Sequence, residues 1–119
     1  MRVVSIDQTI KTPVSAKIFT GPNVTRQDLL PESAEFGISI INFGLGVKNK
    51  LHAHDGEQIL LITGGVGIVA TENEEHEVKV GDIVYVPAGE KHWHGAKPDT
   101  EFSHMYITKR DNKIVFLKD

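Results

Sequence analysis

Short runs of apolar and β-branched residues, separated by glycine, proline and asparagine, make up most of this 119-residue chain. The runs are rich in β-branched residues and show almost no helical period, so the sequence predicts an all-β fold. Strands this short and this regularly spaced are typical of a jelly-roll sandwich or barrel. Only residues 25–35 leave room for a helical turn, and Gly64-Gly65 is expected to form a turn between two strands. The predicted strands cover residues 14–20, 37–43, 50–54, 58–63, 67–71, 76–80, 83–86, 92–95, 102–108 and 114–117.

Two of the predicted strands, within residues 38–41 and 58–62, are apolar on both faces. A strand with water on one side alternates apolar and polar residues, so something is expected to cover the outer face. One explanation is a loop or the N-terminal strand folded over it. The interpretation that we favour is a two-fold homodimer. Its interface is predicted to include Ile59, Leu61, Ile41 or Trp93.

The length and composition are those of one ordinary globular domain covering residues 1–119, with 39% hydrophobic and 24% charged residues. The net charge is −3 and the basic residues are scattered, so we expect neither a nucleic acid nor a membrane surface as a partner. The chain has no cysteine, which fits a reducing compartment. Its first ten residues lack the apolar run of a signal peptide, and no stretch reaches the length of a membrane span. The predicted location is the cytoplasm.

Two His-x-His pairs, His52 with His54 and His92 with His94, lie on predicted strands. Alternate side chains of a strand leave the same face roughly 6.5 Å apart, so each pair can direct two imidazoles at one point. Imidazoles without thiolates are typical of a catalytic metal site rather than a structural one. His76 lies in an acidic, exposed segment and is interpreted as a solvent-facing residue.

Two segments then resemble the two motifs of the cupin family. The first covers residues 46–65 and the second residues 81–96, and both match at full spacing. The resemblance implies a double-stranded β-helix, or jelly-roll barrel, in which three histidines and one carboxylate surround a divalent metal ion. The residues that carry it are Gly46, His52, His54, Gln58 and Gly65 in the first motif and Gly81, Pro87, Gly89 and His92 in the second.

The chain departs from the family pattern where the first motif usually has a glutamate, because it has Gln58 there. An amide in place of the carboxylate leaves a divalent ion with a charge of about +2 instead of about +1. Such an ion is bound less tightly but is a stronger Lewis acid. Glu57 could replace Gln58 as the ligand only if the strand bulged by one residue, since its parity directs it away from the histidines.

More narrowly, the chain resembles a subgroup of small manganese-dependent cupins that includes hydroxynitrile lyases. The metal ligands of that subgroup are three histidines and a glutamine, and they carry over onto His52, His54, Gln58 and His92. Its catalytic histidine, twelve residues past the last ligand, carries over onto His104. A further glutamine of the subgroup is Thr108 in this chain.

Strand parity also gives candidates for chemistry near the metal. His94 shares a face with His92 and can be a fourth ligand, a residue behind the ligands or a donor to the substrate. If Phe102 faces the barrel interior, His104 and Tyr106 do too. An uncoordinated histidine that titrates near neutrality is the usual general base, so His104 is either that base or a buried structural residue. The predicted apolar lining consists of Leu60, Ile62, Ile40, Phe43 and Val84.

Three functions remain open on the sequence. The first is a metal-dependent lyase in which His104 moves a proton of a small organic substrate. The second is an Fe²⁺ dioxygenase, and the third is a non-catalytic module that binds a metal or a small ligand. The expected cofactor is a divalent transition metal, first Mn²⁺ and otherwise Fe²⁺, Zn²⁺ or Ni²⁺.

Overall fold

A computed structural model describes all 119 residues, and the prediction of an all-β chain is confirmed. A single 3₁₀ turn at Ile6–Gln8 is the only helical element. The ten strands are β1 (Thr12–Pro13), β2 (Val24–Asp28), β3 (Phe36–Phe43), β4 (His52–His54), β5 (Gln58–Thr71), β6 (Glu75–Lys79), β7 (Ile83–Val86), β8 (His92–Ala96), β9 (Phe102–Lys109) and β10 (Ile114–Leu117). The chain has no helix with the length and apolarity that a membrane span requires.

The strands form two antiparallel sheets that share the 14-residue strand β5. The first half of β5 pairs with β9 and β7, and the ladder continues from β9 through β3 and β2 to β1. The second half pairs with β6 and β8, and from β8 the ladder continues to β4 and β10. Strand β5 therefore joins the two walls of the barrel.

The predicted turn at Gly64-Gly65 is wrong, because β5 runs through both glycines. The register with β9 shifts between Ile62 and Gly64, so the strand bulges and bends there instead of reversing. Gly65 has a φ of 65°, and an added Cβ would lie 1.9 Å from the carbonyl oxygen of Glu101. Only glycine allows the backbone at Glu101, directly before β9, to approach this closely.

Two further sequence predictions are corrected near the N-terminus. Residues 14–20 do not form a strand, because a turn in which the Phe19 amide donates to the Ala16 carbonyl interrupts the chain. Residues 25–35, where the sequence leaves room for a helical turn, instead hold strand β2, which pairs with β3 along its full length, and one tight turn in which the Ser33 amide donates to the Leu30 carbonyl. The sequence pattern did not reveal β2, because one of its buried positions holds a polar residue, Gln27. Its side chain donates to the backbone carbonyls of Ile6 and Thr9.

The outer face of the first sheet carries two apolar rows across β7, β5, β9 and β3. The register aligns Tyr85, Ile59, Ile107 and Ile38 in one row and Ile83, Leu61, Met105 and Ile40 in the other. The N-terminal segment covers the end of the second row, where Ile40 is 1% exposed beside Val4 and Ile6. At the opposite end Ile83 is 70% exposed. The cover expected on this face is therefore present over β2 and β3 but not over β7.

Candidate metal centre

Three histidines from two neighbouring strands meet at the centre of the barrel. Strand β4 supplies His52 and His54, β8 supplies His92, and the register places His52 directly opposite His92. The candidate ligand nitrogens of the three rings all lie within 4.8 Å of one another. Because β4 has the parity expected of a strand, one pair of alternate residues and one cross-strand neighbour are enough to build the cluster.

Backbone carbonyls orient two of these rings. The Nδ1 of His52 donates to the Lys50 carbonyl at 2.7 Å, and the Nδ1 of His92 donates to the Glu90 carbonyl at 2.8 Å. In each ring the proton is thus on Nδ1, which leaves the lone pair of Nε2 free for a ligand. Each acceptor lies two residues before its histidine, so the backbone that carries the ring also sets its orientation.

Burial keeps the imidazoles uncharged. It lowers the pKa of His52 to about 3 and that of His54 to about 4, and repulsion from the neighbouring His92 acts in the same direction. Burial also lowers the pKa of His92. Neutral imidazole is the form that binds a metal, so these three rings do not need to lose a proton first.

Gln58 completes the group from the start of β5. Its side chain is 6% exposed, and its Oε1 lies 3.3 Å from the Nε2 of His92. Glu57 instead points to the outer face, where its carboxylate accepts a hydrogen bond from the Tyr85 hydroxyl. Of the two residues that the sequence left open, Gln58 is the one beside the histidines.

The four side chains suit a divalent transition metal. Three neutral nitrogens and one amide oxygen converge, and the set contains no carboxylate or thiolate. The Nδ1 of His54 is buried and has no hydrogen-bond partner in the protein. Buried polar atoms are normally satisfied, so an unpartnered imidazole nitrogen in this cluster is consistent with a site that binds a ligand.

His94 and His104 form a second pair beside the cluster. The Nε2 of His104 lies 2.9 Å from the Nδ1 of His94, so one proton lies between the two nitrogens. Asn49 holds His94 from the other side, since its Oδ1 accepts the His94 amide at 2.8 Å and its Nδ2 lies 3.3 Å from the ring nitrogens. The pKa of His104 is lowered to about 3 by burial, and that of His94 is well below its usual value for the same reason. His94 lies outside the three-histidine cluster. The expectation that His104 titrates near neutrality is wrong, because burial lowers the pKa of its ring.

A cavity of about 340 Å³ opens onto both groups of histidines. Tyr106 lines it as strand parity predicts, and its hydroxyl accepts a hydrogen bond of 2.7 Å from Arg26. Part of the predicted apolar lining is wrong. Phe43 lines this cavity, but Leu60, Ile62 and Val84 pack into the core beyond it and Ile40 faces outward. Besides Phe43, the apolar wall consists of Ile18, Phe19, Ile41 and Ile114.

Sequence reasoning missed four polar residues of the cavity, namely Arg26, Asn49, Arg110 and Asn112. The alternation that found His104 and Tyr106 continues through Thr108 to Arg110, which directly follows the last residue of β9, so parity could have found Arg110. Arg26 could not be found in this way, because its strand was not predicted. Asn49 and Asn112 lie in loops, where no period exists.

The fold and the site define a jelly-roll barrel that encloses a histidine cluster suited to a divalent metal. The cupin domain family matches residues 40–107, and the chain belongs to that family. The chain is 37% identical over 87 residues to the (R)-mandelonitrile lyase of Granulicella tundricola, a match that spans 71% of this chain and 66% of the lyase. Both the predicted fold class and the predicted family are confirmed.

Solved structures agree with this assignment. A cupin-like protein from Thermotoga maritima has a TM-score of 0.81 at 28% identity, over 93% of this chain and 90% of that protein. The polyketide cyclase RemF from Streptomyces resistomycificus has a TM-score of 0.82 at 16% identity, over 100% of this chain and 88% of the cyclase. The second likeness concerns the fold alone. Together they show a cupin β-barrel that extends across nearly the whole chain.

Proposed function

We propose that this cupin is a metal-dependent lyase that removes a proton from the hydroxyl group of a small organic substrate. One observation carries the proposal: a neutral, uncoordinated His104 lines the same cavity as Gln58 and two histidines of the cluster, His52 and His54. A lyase thus has a candidate metal site and a candidate proton acceptor facing one substrate. The 37% identity to a mandelonitrile lyase supports the same class of reaction.

We propose His52, His54, Gln58 and His92 as the residues that hold the metal. Mn²⁺ is our first choice, and Fe²⁺, Zn²⁺ and Ni²⁺ are the alternatives that suit nitrogen and amide oxygen ligands. A divalent ion at this site supplies Lewis acidity, which lowers the pKa of a substrate hydroxyl and stabilises an oxyanion. No ligand residue carries a negative charge, so none of that acidity is cancelled within the set.

His104 is the proposed proton acceptor. Its low pKa keeps the ring neutral and able to take a proton, but it also makes the ring a weak base. The proposal therefore requires a substrate whose hydroxyl is acidified at the metal site. The proton between His104 Nε2 and His94 Nδ1 fixes the orientation of the His104 ring, and Asn49 fixes His94 in turn. Tyr106 is held by Arg26, so we assign it the role of positioning the substrate.

The metal site and the reaction are tested together on protein purified without an affinity tag. We expect about one divalent ion per chain and cleavage of a cyanohydrin or an α-hydroxy carbonyl compound by the Mn²⁺-loaded protein. A His52→Ala, His54→Ala double variant is expected to lose both, whereas His76→Ala, a change at the exposed histidine, keeps both. Stoichiometric metal in the double variant would overturn the site. Oxygen uptake in place of cleavage would identify the dioxygenase alternative.

We further propose a homodimer that pairs through the apolar rows of the outer face. Ile83 and Tyr85 are 70% and 58% exposed there, next to Ile59 at 38%. Exposed apolar side chains that form one continuous patch mark interaction surfaces. Of the interface residues expected from the sequence, Ile59 and Leu61 lie on this face. Ile41 lines the cavity instead, and Trp93 lies on β8 of the other sheet, so neither belongs to the proposed interface.

The remaining proposals concern partners and location. We propose a small molecule as the only partner besides the second copy, with no nucleic acid and no membrane, because the net charge is −3 and the basic residues are scattered along the chain. The chain has no cysteine, which is consistent with a reducing compartment, and we propose the cytoplasm.

A further inference from the structure

The polar lining of the cavity has an unbalanced charge. Its seventeen lining residues include the two arginines Arg26 and Arg110 and no aspartate or glutamate. The candidate ligands are neutral as well, so any divalent ion bound there adds its charge to that of the guanidinium groups. A cavity that is positive and walled by apolar side chains attracts an anion.

Arg110 is fixed in place without losing its charge. Its Nε donates to the Ser33 carbonyl at 2.9 Å and its Nη2 donates to the Leu30 carbonyl at 2.8 Å. No carboxylate lies within ion-pair distance of this guanidinium. Carbonyl oxygens orient the group but do not neutralise it, and its Nη1 makes no hydrogen bond with the protein.

Arg26 is partly neutralised. Its Nε pairs with Asp28 at 2.8 Å, and its Nη2 donates to the hydroxyl of Tyr106. The pKa of Asp28 is lowered first by a hydrogen bond from Ser39 and then by Arg26 and Arg110, so this one carboxylate lies near both arginines. Two guanidinium groups opposite one carboxylate leave one positive charge at the cavity.

An unpartnered donor lies in the same wall. Asn112 lines the cavity, and its Oδ1 accepts the amide of Gly56 at 2.8 Å. Its Nδ2 is buried and has no acceptor in the protein. A buried amide donor normally finds an acceptor, so the lining offers a hydrogen bond that the protein itself does not use.

We propose that the substrate of this cavity carries a carboxylate, which the guanidinium groups of Arg26 and Arg110 bind while its hydroxyl or carbonyl end points toward the histidines. A planar guanidinium can donate two hydrogen bonds to one carboxylate, and the charge strengthens both of them. The substrate class is then a small hydroxy or keto acid. This inference rests on the proposed function only for the claim that the hydroxyl or carbonyl group of the substrate points toward the histidines.

The test compares two probes of similar shape, mandelate and its neutral amide, by calorimetric titration of metal-free and Mn²⁺-loaded protein. We expect mandelate to bind at least about tenfold more tightly than the amide in both forms. The Arg110→Gln and Arg26→Gln variants are each expected to lose about that factor for mandelate, and Arg110→Gln is expected to bind the amide as the parent does. Raising the salt concentration weakens only the binding of the anion.

Arg2→Gln is the matched control. Arg2 pairs with Glu32 and donates to the Leu29 carbonyl, so it anchors the same loop as Arg110 but lies outside the cavity. We expect it to leave the preference for mandelate unchanged. Arg26 anchors no loop, so the Arg26→Gln variant keeps the test valid even if Arg110→Gln unfolds the 29–35 segment.

Two results would overturn the inference. One is equal binding of mandelate and its amide by the metal-free parent protein. The other is a preference that survives in both arginine variants and requires Mn²⁺, since the metal and not the arginines would then bind the carboxylate. Neither result depends on turnover, so a failure of the lyase proposal is seen separately, as a metal-loaded protein that binds mandelate but cleaves neither a cyanohydrin nor an α-hydroxy carbonyl compound.

Discussion

The Oε1 of Gln58 lies 3.3 Å from the Nε2 of His92, although 34 residues separate the two in the chain. An amide oxygen and an imidazole nitrogen at this distance can contact one ion without a change of rotamer. In the proposed metal site, residue 58 is therefore the position that decides the charge of the ligand set.

Gln58→Glu is expected to bind Mn²⁺ roughly tenfold or more tightly than the parent, because the carboxylate adds a negative charge beside the ion. The lyase rate is expected to fall, since the same charge opposes an oxyanion. Competition with a chelator measures the affinity, and initial rates measure the reaction. Gln8→Glu, at an exposed position, is the control for the change of net charge. Equal affinity of the parent and Gln58→Glu would show that residue 58 does not contact the metal.

His104→Gln is expected to reduce kcat by about 10²- to 10⁴-fold while the protein retains its metal. The amide can keep a hydrogen bond to His94 but cannot accept a proton as an imidazole does. Elemental analysis and steady-state kinetics on the same sample separate the two effects. Full turnover of the metal-loaded variant would assign His104 a structural role and direct the search for the base to His94 or Tyr106.

The metal-free protein is expected to lose stability as the pH falls below about 6.5. His52 and His104 have pKa values of about 3 in the folded chain. Between about pH 6.5 and about pH 3 the unfolded chain therefore binds more protons than the folded chain. Each of the two buried rings then lowers the free energy of unfolding by about 1.4 kcal/mol per pH unit. Urea unfolding between pH 7.5 and 5 measures the slope.

Two variants test the origin of that slope. His104→Gln removes one titrating group, so the slope is expected to decrease by about 1.4 kcal/mol per pH unit. His76→Gln, whose side chain is 62% exposed, is expected to leave it unchanged. A stability that does not vary between pH 7.5 and 5 would contradict the neutral, buried state of these imidazoles.

Light scattering at micromolar concentration is expected to give the mass of a dimer. The proposed interface buries roughly 1,500 Å² or more in total, the size typical of stable complexes. Ile59→Lys places a charge in the middle of the apolar rows and is expected to give a monomer. Leu45→Lys is the control, since Leu45 is 63% exposed outside this face. A monomeric parent protein would rule out the dimer.

The sequence was sufficient for the local part of this structure. A strand period of two placed His52 with His54 and directed Gln58, but not Glu57, toward them. The same period placed His104 and Tyr106 on one cavity wall. These relationships are local, because side chains two residues apart on a strand share a face whatever the strand packs against.

Only the tertiary structure decided which face is the inside and which strands are neighbours. Ile40 and Ile41 were both apolar candidates, and the pairing of β3 with β9 places Ile41 in the cavity and Ile40 under the N-terminal segment. Arg26 meets Tyr106 across 80 residues of chain through strand β2, whose own pattern did not identify it. Local alternation decides which residues share a face of a strand, whereas long-range strand pairing decides what that face packs against. The low pKa of His104 is set by this packing, because the packing buries the ring.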